Sequence, residues 1–101
     1  MKASLQGHVL AEAPDDEVVI IEGNAYFPPS AVTRGVLSES QSPYVCPWKG
    51  RCQYFDAAVD GKAAADAAWS CPTPLDSAVQ RVGSDFEGFV AFSPVVTVER
   101  G

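Results

Sequence analysis

Residues 51–70 read Arg-Cys-Gln-Tyr-Phe-Asp-Ala-Ala-Val-Asp-Gly-Lys-Ala-Ala-Ala-Asp-Ala-Ala-Trp-Ser, and the fold class turns on this stretch. From Arg51 to Val59 the residues alternate, with Cys52, Tyr54, Asp56 and Ala58 on one side and Arg51, Gln53, Phe55, Ala57 and Val59 on the other. A period of two is that of a strand. Asp60-Gly61 then supplies the two positive backbone dihedrals of a type I′ turn, so the chain from Lys62 onward returns antiparallel. Ala63 to Ala68 has high intrinsic helix propensity. The turn before it and Trp69-Ser70 after it favour a strand instead.

Working outward, His8–Ala11 and Val18–Ile21 are β-prone runs separated by Ala13-Pro14-Asp15-Asp16-Glu17, which suggests a hairpin between them. Glu22-Gly23-Asn24 is a further turn, and the prolines of Tyr26-Phe27-Pro28-Pro29 impose an extended, non-helical backbone. On the other side, Thr73 suits a helix N-cap, Pro74 the first helical position, Asp76 the first turn and Gly83 the C-terminus. Leu75, Val79 and Val82 then share one face of a short helix near residues 74–82. Gly88–Phe92 and Val95–Val98 read as strands parted by Ser93-Pro94. About seven short strands and one helix make a mainly β fold, expected as a single domain over residues 1–101.

The composition narrows the function classes. The chain has 101 residues, 13 acidic against 7 basic, and a formal net charge of -6. Nucleic acid is excluded as a partner on this reading, because phosphate capture needs clustered Lys and Arg. Nor is a membrane expected, since no apolar run approaches the roughly 20 residues that span a bilayer. Met1-Lys2-Ala3-Ser4 lacks the apolar core of a signal peptide, which implies a cytoplasmic protein. Three cysteines, Cys46, Cys52 and Cys71, leave an odd thiol and fit a reducing compartment.

Two proline-stiffened loops carry the candidate chemistry. In Cys46-Pro47-Trp48-Lys49-Gly50, Pro47 and Gly50 bracket an indole and an ammonium, a ligand wall beside an anion anchor. Trp69-Ser70-Cys71-Pro72 is the second. If the Asp60-Gly61 hairpin pairs as read, both loops lie at the end opposite its turn, and Trp48, Lys49, Asp66, Trp69 and Ser70 converge. Lys49 and Arg51 beside Cys46 would lower its thiol pKa and make it a nucleophile. The alternative is a buried, inert thiol. No metal is expected: Cys46, Cys52 and Cys71 do not have the paired spacing of zinc ligands, and His8 stands alone. No phosphate-binding loop, dinucleotide fingerprint or hydrolase triad is present, and no cofactor is expected.

The order Tyr26-Phe27-Pro28, Cys46-Pro47-Trp48-Lys49-Gly50, Asp66-Ala67-Ala68-Trp69-Ser70 and Gly88-Phe89-Val90-Ala91-Phe92 resembles the bacterial family called domain of unknown function 427 across nearly the whole chain. The resemblance implies a β-tent like that of Mss4-like domains and B-type methionine sulfoxide reductases, a pair of small antiparallel sheets pinned at one edge. Zinc, bound in some tent domains by paired CxxC motifs, does not carry over, because those motifs are missing. A nucleotidyltransferase label attached to the family finds no aspartate pair or glycine-serine turn here. The family usually has tyrosine at the position of Cys71 and aromatics where this chain has Ser93-Pro94-Val95. Since tent domains often hold ligands between aromatic side chains, the resemblance strengthens Trp48 and Trp69 as ligand walls.

The leading expectation is a module that binds a small, anionic molecule in a shallow aromatic pocket between the Cys46–Gly50 and Trp69–Pro72 loops. Trp48 and Trp69 form its walls, Lys49 its charge anchor, and Ser70, Tyr26 and Tyr54 its polar handles. One alternative is a thiol-dependent enzyme using Cys46. Another is a non-catalytic interaction module that forms a homodimer through an exposed β-edge.

Overall fold

The computed structural model describes residues 1–42, 45–47 and 50–99, and at Val45 and Cys46 the backbone alone. In chain order the strands are β1 (Lys2–Leu5), β2 (His8–Glu12), β3 (Val19–Ile21), β4 (Asn24–Tyr26), β5 (Leu37–Glu39), β6 (Val45–Cys46), β7 (Gly50–Arg51), β8 (Gln53–Val59) and β9 (Lys62–Ser70). The helix α1 (Asp76–Val82) follows, then β10 (Val90–Phe92) and β11 (Thr97–Glu99). The fold is mainly β with one short helix, as the alternation and turn chemistry imply.

The strands form an antiparallel four-stranded sheet, β10-β9-β8-β5, and an antiparallel three-stranded sheet, β11-β1-β2, with β3-β4 and β6-β7 as separate hairpins. The β8–β9 hairpin turns at Asp60 (φ 50°) and Gly61 (φ 76°), both left-handed, with Val59 opposite Lys62. The alanine run is strand. Its register then breaks: from Ala57↔Ala64 to Phe55↔Ala68 the chain advances two residues on β8 against four on β9. Asp66, at φ 50°, sits in this bulge and its backbone N–H donates to Asp56 Oδ1 at 2.8 Å. Because the slip is an even number of residues, the faces stay in phase.

Successive residues of the central sheet point into two different apolar clusters. Ala68, Val90 and Phe92 join Ala3, Leu5, Leu10, Ala11 and Phe27 in one, between the two larger sheets. Trp69, Cys71 and Ala91 join Ile21, Tyr26, Cys52, Ala78 and Phe86 in the other, which includes the buried side of α1.

Four expectations are corrected. The runs His8–Ala11 and Val18–Ile21 do not pair: β2 pairs with β1, and β3 with β4. The segment between them holds a 3₁₀ turn at Asp15–Glu17, pinned where the Met1 amino nitrogen donates to Ala13 O and Asp15 Oδ1, both at 2.7 Å. That clasp sends the chain out of the first sheet. Thr73 does not cap α1; Leu75 holds the N-cap position in extended conformation, and no side chain caps the helix. Leu75 is also off the buried face, at 48% exposure, leaving Ala78 buried and Val79 and Val82 half-buried. Its side chain lies over Gly50 instead. Finally, the prolines after Tyr26 are not wholly extended, because Pro29–Ala31 forms a second 3₁₀ turn. The fixed φ of proline suits the start of a helical turn as well as an extended segment.

Candidate functional site

Trp69 stands at the end of β9, directly opposite Tyr54 on β8 and Ala91 on β10. Paired residues share a sheet face with Cβ atoms about 5 Å apart, so the indole and the phenol ring are lateral neighbours. Both side chains are half-buried. The Trp69 indole Nε1–H donates to the Tyr26 hydroxyl at 2.9 Å, which fixes the indole against β4. Tyr26 is fully buried and packs edge-on against Phe86, with centroids 6.1 Å apart. Its hydroxyl therefore faces Trp69 rather than solvent. Ser70 is 5% exposed, and its backbone lies between Gln53 and Val90.

The second loop approaches the first. In the β6–β7 hairpin, Cys46 pairs with Gly50 and Val45 with Arg51. Gly50 has φ 100°, and a Cβ on it would lie 3.1 Å from Leu75 Cγ and 3.7 Å from Leu75 N. Only glycine combines that left-handed backbone with so close an approach. The Gly50 arm of the hairpin thus rests on the segment that follows Trp69–Pro72. The Cys52 thiol reaches Gly50 O at 3.5 Å, tying the same point to the start of β8. Trp48 and Lys49, the wall and charge anchor expected from sequence, lie outside the described residues, as does the side chain of Cys46. Cys52 and Cys71 are buried thiols.

Sequence reasoning missed a polar brace on the chain leading into this hairpin. Ser40 Oγ donates to Asp66 Oδ1 at 2.5 Å and Ser42 Oγ to Asp66 Oδ2 at 2.8 Å. Gln53 Nε2 donates to Ser40 O at 2.8 Å and to Tyr54 O at 2.7 Å. Asp66, expected near the two tryptophan loops, instead ties residues 40–42 to the β9 bulge. The run Ser38-Glu39-Ser40-Gln41-Ser42 was the available signal, since alternating hydroxyls need an acceptor that only the tertiary fold supplies.

Other concavities lie elsewhere. A cleft of about 430 Å³ is lined by Thr73, Pro74, Val79, Gln80 and the carboxylates of Asp76, Asp85 and Glu87. Another of about 430 Å³ runs along β11. Neither includes Trp69, Ser70, Tyr26 or Tyr54. Among the described residues no group of three or more His, Cys, Asp or Glu side chains is arranged to hold a metal ion.

Compared with known proteins, the chain matches over residues 1–100 a family model described as a domain of unknown function (DUF427). No curated protein matches it.

Proposed function

We propose that this chain, which belongs to the DUF427 family, binds a small anionic molecule at the shallow surface between Trp69 and the 45–51 hairpin. The observation that carries this reading is the contact of Gly50 with Leu75, which seats the base of the Cys46–Gly50 loop beside the Trp69–Pro72 loop. Trp69 offers an aromatic face held by the Tyr26 hydroxyl, and Tyr54 extends it laterally. Lys49 and the exposed Arg51 are two of only 7 basic residues in a chain of net charge -6. A local positive spot in an acidic protein favours an anion with a planar apolar body. Tyr26 acts through Trp69 as a positioning residue, whereas Ser70, in register with Val90, is buried on the opposite face of the sheet and takes no part.

Titration calorimetry with phenyl phosphate and with benzoate tests the proposal. Binding by the wild type should weaken about tenfold in Lys49→Ala, the loss of one charge-assisted contact, and at least as much in Trp69→Ala. Wild-type affinity in both variants, or no binding of either probe to the wild type, overturns it.

A further inference from the structure

Two of the four edges of the two larger sheets are covered. The outer side of β2 is closed by Thr33, whose N–H donates to Leu10 O at 2.7 Å and whose hydroxyl donates to Val9 O at 3.0 Å. β10 is closed by Phe27, which exchanges two backbone hydrogen bonds of 2.8 Å with Val90. The edge strand β5 exposes Ser38 and Glu39, a polar rim of the kind that discourages pairing. β11 differs. Its outer side pairs with no other described strand, and all three of its residues are exposed.

The inner face of β11 is also open. Val98 lies in register with Ala3, and Ala3 with Ala11, so Val98 points to the core side of the sheet. Ala3 and Ala11 are fully buried, whereas Val98 is 40% exposed. It overhangs the cleft of about 430 Å³ that is floored by Phe92, Val96 and Ala25 and flanked by Ile20 and Pro94. Ile20 is 54% exposed, so the apolar lining of this cleft is open to solvent on the β3 side as well.

We propose that β11 is the homodimer interface, paired antiparallel with β11 of a second copy about a two-fold axis through Val98. The register already present in one copy dictates what such pairing brings together. On the inner face the row becomes Ala11, Ala3, Val98 and then Val98, Ala3, Ala11 of the second copy, apolar throughout. On the outer face Glu12, Lys2 and Glu99 of one copy continue into Thr97 and Ser4 of the other. Each Glu99 thus meets a hydroxyl, and no like charges stand directly opposite. An isologous contact of this kind uses one strand twice and is closed by symmetry. A parallel pairing, or one shifted by a residue, would turn Val98 outward or break that match. Joining the two three-stranded sheets covers both valines and both clefts at once.

With three residues per strand the contact belongs to the weak class of interfaces, below about 1,200 Å², so the full chain is to be measured by sedimentation equilibrium up to about 1 mM. The expected result is a monomer–dimer equilibrium. Thr97→Lys, on an exposed side chain, places an ammonium opposite each Glu99 and should tighten the dimer roughly fivefold; Thr97→Glu should loosen it by a similar factor. Both shifts should shrink as salt is raised. Ser38→Lys makes the same change in net charge at the β5 edge and should leave the equilibrium within about twofold of wild type. A chain that stays monomeric to about 1 mM, a dimer indifferent to both Thr97 variants, or a Ser38→Lys effect equal to that of Thr97→Lys overturns the proposal.

Discussion

The two faces of the four-stranded sheet solve different problems. On one, Ala68, Val90 and Phe92 meet Phe27, Leu10 and Ala3, and the Phe27 and Phe92 rings pack edge to face at 5.7 Å. These side chains carry no polar atom, and they stabilise in proportion to the area they hide and the closeness of their packing. On the other, Tyr26, Trp69, Cys52 and Cys71 bring hydroxyl, indole and thiol groups inside, and the indole N–H is satisfied by the hydroxyl oxygen that accepts it. A buried polar atom stabilises only when its partner is in place, so this face fixes a particular geometry at a smaller net gain. The second face is also the one that borders the 45–51 hairpin. Stability is concentrated on the first side of the sheet and specific positioning on the second.

Substitutions can break that division, beginning with the largest effect. Phe27→Ala empties a fully buried site and should cost about 3–5 kcal/mol in urea unfolding, a large part of the roughly 5–15 kcal/mol expected of a whole domain. Under conditions where the variant stays folded, the Trp69 indole N–H resonance should be unchanged. A loss below about 1 kcal/mol would mean that the first face is not where stability resides. Gly50→Ala places a Cβ in the left-handed region and against Leu75, so a loss of about 1–2 kcal/mol is expected. Adding Leu75→Ala should restore part of it, because Leu75 is exposed and only the backbone strain then remains. Full additivity of the two changes would separate the hairpin from the Trp69–Pro72 segment. Tyr26→Phe is the mildest, at about 1 kcal/mol, since water can reach the half-buried indole once the hydroxyl is gone. Its sharper signature is a shifted, faster-exchanging Trp69 indole proton in NMR spectra.

What could be read in the sequence was what local chemistry decides. Asp60-Gly61 announced the β8–β9 hairpin because two left-handed residues in succession have few other uses, and from it followed the adjacency of Trp69 to the strand after Cys46–Gly50. The helix was legible through Asp76 and Gly83, although its start was displaced because Leu75 packs on Gly50 rather than into the helix face. Partner choice between strands was not legible. Pro14-Asp15-Asp16-Glu17 has good turn chemistry, but a turn does not specify which strand the chain pairs with afterwards, and β1 and β4 are the nearer partners of β2 and β3. The bulge at Asp66 was hidden because no glycine marks it. At the site, Tyr54 and Trp69 were reachable from the hairpin, whereas the bond from Trp69 to Tyr26 joins residues 43 positions apart and depends on the whole fold.

The claim that the Trp69 face is the binding surface is tested most directly by titrating ¹⁵N-labelled protein with phenyl phosphate. The account predicts that the Trp69 indole N–H and the amides of Gly50, Tyr54 and Leu75 shift together along one saturating curve. Shifts confined to the β11 cleft around Phe92, Val96 and Val98, with the Trp69 indole signal unmoved, would contradict it.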